Sequence, residues 1–318
     1  MSRSLQPSWL RARQLLLQRV KEHIEISLGP LPKDIRHVRN SYEKEFRARW
    51  KNSNSDELLQ QIETSRIVLG ADFHAHEQSQ RAHFRILRSL PSRKKVTLAL
   101  EIFPVKDQKL VDQFVKDEIS EEKFLKRIKW EKIWGFPWEH YRPLLQLAKE
   151  RGHKVLALNT LMTRQGSCNL HKRERGAMKA IGPWVKKHPD DLMYIVFGDL
   201  HLAKTHLPRK LQVLLKKKSD LLVIHQDSEQ LYFKLAQQKL ENKISILRRG
   251  KSNFCVMTSP PWIRLQNYLL FIEGEGEQEQ ELRLDPTEWI KHLLQAVSYT
   301  HLRAHETKAN LVCRLLLE

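Results

Sequence analysis

Cysteine is scarce: Cys168, Cys255 and Cys313 are the three in 318 residues. Their spacing suggests neither a disulfide framework nor a zinc knuckle. No run approaches the roughly 18 uncharged apolar residues of a membrane span. The opening stretch, MSRSLQPSWLRARQ, has no apolar h-region and no small-residue cleavage site, so no secretory signal is read there. These absences lead to the expectation of a cytoplasmic protein. With 41% hydrophobic and 29% charged residues, the chain has a globular composition and room for one large domain or two ordinary ones.

The charge is far from balanced. A net charge of +19 raises a nucleic acid or an anionic membrane surface as a possible partner. The cations are nevertheless dispersed: residues 1–60 carry 12 Lys/Arg against 7 Asp/Glu, and residues 202–251 carry 12 against 4. The densest run, Lys216-Lys217-Lys218, follows an amphipathic segment, where cations suit a helix C-terminus. No nucleic-acid motif accompanies them.

Residues 297–318, VSYTHLRAHETKANLVCRLLLE, resemble the peptide encoded by translated sequencing-adapter DNA. They are expected to be a non-native tail, with the natural sequence departing near Ala296. They hold three basic and two acidic residues, so leaving them out takes the charge only from +19 to +18.

Four segments are expected: helical residues 1–63, an α/β domain over 64–230, a mixed or helical extension over 231–296, and the tail. Ser8 is suited to cap a first helix, GPLPKD (29–34) breaks it, and a second helical stretch is read at about 42–50. From residue 66 short apolar runs (66–70, 96–101, 154–159, 193–198, 221–225) alternate with helical patterns at about 76–90, 107–128, 139–151, 171–187 and 207–217. Gly152 suits a helix stop and Pro208 a first turn. Such alternation predicts an α/β fold, with a mostly parallel central sheet covered by helices on both faces and helical additions at both ends. FCVMTS (254–259) reads as one more strand, followed by a helix from Trp262. EGEGEQEQE (273–281) reads as an acidic loop, and Asp285 as the cap of a last helix.

Ligands of open parallel sheets bind outside the carboxyl ends of the strands. Polar groups follow each apolar run here: Gly70, Asp72 and His74; Glu101; Asn159; Gly198, Asp199 and His201; His225 with Asp227. Glycine lets a chain turn sharply or approach a ligand closely. The donor set suits zinc, manganese or iron, or a Glu–His pair acting as base and acid.

Four blocks, VLGADFHAHEQSQRAHFRIL, LALEIFPVKDQKLVDQFV, WGFPWEHYRPLLQLAKERGHKVLALN and VFGDLHLAKTHLP, lie between Ile67 and about His225. Together they resemble the ChaN-like haem-binding-uptake proteins of the wider Tiki and TraB group. The resemblance covers about half of the chain. It puts the family motifs on Gly70 and His74, on Glu101, and on Gly198 and His201. The chain departs from the family in having Gly70-Ala71, with Asp72 one place later, where a Gly-Glu pair is usual, and in lacking a lipoprotein signal.

The resemblance implies haem, or a divalent metal ion, held by His74, Glu101 and His201, with Glu101 as ligand or as base and Asp72 as a second catalytic carboxylate. It also implies a small-molecule or peptide ligand, and a homodimer enclosing haem. A haem needs an axial ligand and an apolar slot. KWEKIWGFPWEHY (129–141) offers Tyr141 for the first and Trp130, Trp134, Phe136 and Trp138 for the second. Haem or metal binding in iron or haem handling is the expected function. A metal-dependent hydrolase of the Tiki or erythromycin-esterase-like type is the alternative, and a basic polyanion-binding protein a third.

Overall fold

The computed structural model describes residues 8–160, 170–215 and 217–274. Helices α1 (Ser8–Leu28) and α2 (Lys33–Lys44) lead into β1 (Lys51–Ser53) and α3 (Ser55–Thr64). The α/β alternation follows: β2 (Ile67–Asp72), α4 (Glu77–Ser89), β3 (Val96–Pro104), α5 (Gln108–Val115), α6 (Glu121–Ile128), α7 (Trp130–Ile133), α8 (Arg142–Glu150), β4 (Lys154–Asn159), α9 (Leu170–Lys187), β5 (Leu192–Gly198), α10 (Leu207–Gln212) and β6 (Leu221–Gln226). Then come α11 (Glu229–Gln237), β7 (Ile246–Arg249), β8 (Asn253–Val256) and α12 (Pro261–Gly274).

One eight-stranded sheet runs in the order β1-β7-β8-β6-β2-β5-β3-β4. The strands from β8 to β4 are parallel, and β7 and β1 are antiparallel additions at one edge. β2 and β3 are buried along their whole length, which is why their sequences are continuously apolar rather than alternating. Alternate residues feed two cores. Val68, Leu98, Val196 and Ile224 pack under α3, α4, α5 and α8, while Leu69, Ala99, Ile195 and Val223 pack under α9, α10 and α11. Leu10 of α1 packs on Tyr232, Ala236 and Trp262.

The α/β class and the parallel sheet agree with the sequence reading, and so do the five strands of the alternation. Gly152 follows α8 at φ +61°, and Pro208 lies in the first turn of α10. Other readings are corrected. The second helix is α2 at 33–44, not 42–50: Pro32 stands at its N-cap, and Ile35 and Tyr42 form its buried stripe. The stretch 107–128 is two helices, parted where Asp117 turns left-handed at φ 58° and Ser120 caps α6 by accepting from the Lys123 N–H at 3.3 Å. α10 stops at Gln212, so Lys217 and Lys218 lie beyond the helix rather than on its last turn. β1 interrupts residues 1–63, which were expected to be helical, and β7, α3 and α11 were not individually placed. Lys216, Cys168, Cys313, the Asp285 cap, most of the acidic loop and residues 297–318 lie outside the described residues.

Gly70 serves packing, not a turn. A Cβ there would lie 2.3 Å from Cε1 of His83. That ring is fixed, because it donates from Nε2 to the Ala71 carbonyl (2.7 Å) and accepts at Nδ1 from the Tyr194 hydroxyl (2.9 Å). Gly70→Ala is therefore expected to destabilise by about 1–3 kcal/mol through overpacking, read as a lower urea midpoint. An unchanged midpoint would contradict this close approach.

Candidate functional site

The adjacent strands β2 and β5 send their chains to opposite faces. α4, after β2, packs in the first core, and α10, after β5, in the second. Open α/β sheets form their ligand crevice at such a switch point, and His74 and His201 follow the two strands.

Between them lies Glu101 of β3, 2% exposed. Its Oε2 accepts the Gly198 N–H at 2.7 Å, and its Oε1 accepts from Arg173 at 3.2 Å. Nε2 of His74 is 3.8 Å from Oε2, and Nε2 of His201 is 3.8 Å from Oε1. A Cβ on Gly198 would lie 3.2 Å from Oε2, so this glycine lets the strand end press against the carboxylate.

Each imidazole is braced from behind. Nδ1 of His74 faces Asp72 Oδ2 and the Tyr141 hydroxyl, both at 2.8 Å. Tyr141 donates to the same Asp72 oxygen at 2.7 Å, and Gln80 donates to the other. Nδ1 of His201 donates to Glu174 Oε1 at 2.9 Å. Glu174 also accepts from His206 and pairs with Lys210. A carboxylate behind an imidazole fixes its tautomer and aims Nε2 forward.

Burial pushes the Asp72 carboxyl up, but the positive His74 ring and the hydrogen bonds from His74 and Tyr141 outweigh it and hold the pKa below the ordinary value. Burial pulls the His74 pKa down, yet Asp72 and Glu101 raise it above its ordinary value. Glu174 is held well below the carboxylate range: burial opposes this, and hydrogen bonds from His201, His206 and Lys210 overcome it.

The expected residues thus separate. His74, Glu101 and His201 converge, and Asp72 stands directly behind His74. Tyr141 is fully buried with its hydroxyl committed to Asp72, so it positions His74 from within rather than lining the mouth. Of the aromatic wall, Trp134 and Phe136 flank His74, with ring centroids at 5.0 and 5.5 Å; Phe136 in turn stacks on Phe271 of α12 at 4.2 Å. Trp130 and Trp138 are core residues instead.

His225 is a correction too, because its side chain leaves the rim for the second core. It meets Tyr42, Phe46 and Trp50 there, and burial pulls its pKa down to about 3. Asp227 accepts from the backbone and hydroxyl of Thr258, and Asp199 pairs with Arg264 at 3.4 Å. Sequence reasoning missed Arg173 and Glu174. Glu174 did leave a trace, since it falls in the buried stripe Leu170, Glu174, Ala177, Ile181, Val185 of α9, where an unpaired carboxylate would be costly.

The family model described as "Haem-binding uptake, Tiki superfamily, ChaN" matches residues 58–166. Residues 58–166 are thus similar to the ChaN family. The match takes in His74, Glu101 and Tyr141 and stops before Glu174 and His201. Among solved structures, one describing cofacial haem binding to ChaN of Campylobacter jejuni is 13% identical, with TM-score 0.43, covering 55% of this chain and 87% of the other. The type III effector HopBA1 is 14% identical at TM-score 0.44, covering 67% and 96%. The C-terminal region of Pasteurella multocida toxin, with a thiol-protease-like triad, is 15% identical at TM-score 0.37, covering 58% and 26%. At these scores nothing about activity passes from them to this chain. No curated protein matches the chain. Among the described residues no helix is long and apolar enough to cross a membrane.

A haem suits the His74 side of the crevice. That ring has aromatic neighbours, and its side chain is 18% exposed against 4% for His201. A bare divalent ion suits Glu101 less well, because His74, Glu101 and His201 do not form one of the groups among the described residues whose ligand atoms all lie within 4.8 Å of one another, and the Arg173 guanidinium would have to leave that carboxylate.

The Asp72–His74 pair sets a pH dependence. The raised His74 pKa stabilises fully below the free value of about 6.5, and this is lost as pH rises through the folded pKa; the depressed Asp72 pKa stabilises fully above about 3.9, and this is lost as pH falls through its folded value. Stability from the pair is complete between about pH 4 and 6.5. Asp72→Asn is expected to bring the His74 titration, followed by NMR, below its ordinary value and to lower stability in that window. An unmoved titration would show that Asp72 does not govern the ring.

Proposed function

We propose that the α/β domain binds haem at the β2–β5 crevice, with His74 as the axial ligand. The carrying observation is the partly exposed His74 ring, back-bonded through Nδ1 to Asp72 and Tyr141 and flanked by Trp134 and Phe136. When bound, haem supplies an iron that takes a nitrogen donor and a flat apolar body that takes an aromatic wall. Asp72 keeps the donor tautomer and raises ring basicity. Tyr141 holds Asp72, and Glu101 with Arg173 fixes the crevice floor. The family description supports haem as the ligand; iron or haem handling is the corresponding role.

A second reading rests on the two carboxylate–imidazole pairs that face one crevice. Such pairs are suited to ester hydrolysis, with protonated His74 as general acid and His201, oriented by Glu174, as general base.

Titration of the full chain with haemin, followed at the Soret band, tests the first reading. Binding is expected to be lost in His74→Ala and to weaken about 10–100-fold in Asp72→Asn, the range for a partner behind a ligating imidazole. Wild-type affinity in His74→Ala contradicts it. Chelator-resistant ester hydrolysis lost in His201→Ala, without a Soret change in the parent, selects the second.

A further inference from the structure

Outside the crevice, α9 and α10 bring together a second cluster that the haem proposal does not use. We infer that His171, Glu174 and His206 form a site for a divalent transition-metal ion, for which Lys210 is the resident competitor. Among the described residues this is the group whose ligand atoms come closest together, one atom of each lying within 4.8 Å of the others.

The geometry is close to that of a coordination sphere. Two ligands about 2.1 Å from a tetrahedral ion lie about 3.4 Å apart. Nδ1 of His171 is 3.4 Å from Glu174 Oε2, and Nδ1 of His206 is 2.7 Å from Oε1. The two rings stack at 4.5 Å and 4°, so their nitrogens stand side by side at the same carboxylate, and a rotation of the exposed His171 ring is what brings both onto one ion. Two imidazoles and a carboxylate are the donor set of zinc and its neighbours, with one position left for water.

A cation is already there. The Lys210 ammonium pairs with Glu174 and lies 3.3 Å from Nδ1 of His171. Its side chain is 25% exposed and that of His171 56%, so the ammonium can leave to solvent and the ion can enter. Glu174 is fully buried. A charge there is retained only with a cation beside it, and ammonium and metal ion exclude one another on this carboxylate.

The same carboxylate orients His201. A metal ion drawing on Glu174 weakens that hydrogen bond, so occupancy of the outer site is linked to the crevice.

Cobalt(II) titration of the full chain, read by its visible tetrahedral bands and by zinc displacement, tests the site. His171→Ala removes an exposed side chain and so spares the fold. It is expected to weaken binding by more than about tenfold, since even outer-shell losses cost that much. Lys210→Met is expected to strengthen binding, and His74→Ala to leave it unchanged, which keeps this test apart from that of the haem proposal. Unaltered binding in His171→Ala, loss of binding in His74→Ala, or no binding in both the parent and Lys210→Met would overturn the inference.

Discussion

A buried carboxylate shared by two imidazoles organises the α/β domain. Glu101 is removed from water, and its carboxylate is met by the Gly198 N–H and the Arg173 guanidinium. Those contacts tie β3 to β5 and α9, which closes the floor of the crevice. His74 and His201 then face the two oxygens from opposite sides, each held by a second carboxylate. Six charged or ionisable groups, Glu101, Arg173, His74, His201, Asp72 and Glu174, thus compensate one another in a space where any one alone would be destabilising.

The fold supplies the convergence. Three neighbouring strands, β2, β5 and β3, end at one mouth. The chain leaves β2 and β5 towards opposite faces. The aromatic segment 134–136 and α12 meet over the His74 side, through Phe136 and Phe271. The site is therefore polar at its floor and apolar at its rim, which is the division a flat, largely apolar ligand with a single coordinating atom requires.

Much of this was legible in the sequence, for a physical reason. Parallel strands buried on both faces must be continuously apolar, so IVLG, VTLAL and MYIVF announce themselves, and polar residues at their ends fall on one rim. That reasoning picked out Asp72, His74, Glu101 and His201. It failed at His225, because a residue within a buried strand can point to either face, and here the side chain enters the second core. It misread Gly70, whose absent side chain makes room for His83 rather than for a ligand. Tyr141 was selected for its chemistry, but its hydroxyl is turned inward. Glu174 and Arg173 were missed because helical residues carry no strand-end marker, although a carboxylate in the apolar stripe of α9 was visible. The short strands β1, wholly polar, and β7, with two apolar residues, become strands through their antiparallel pairing at one side of the sheet, which no local pattern encodes.

The shared role of Glu101 is tested most directly by the imidazole nitrogen resonances of ¹⁵N-histidine-labelled protein. Glu101→Gln removes the charge while keeping the shape. Both His74 and His201 should then shift together, while His225, in its separate aromatic enclosure, stays in place. A response confined to one ring, or absent from both, would mean that the two imidazoles do not share one carboxylate.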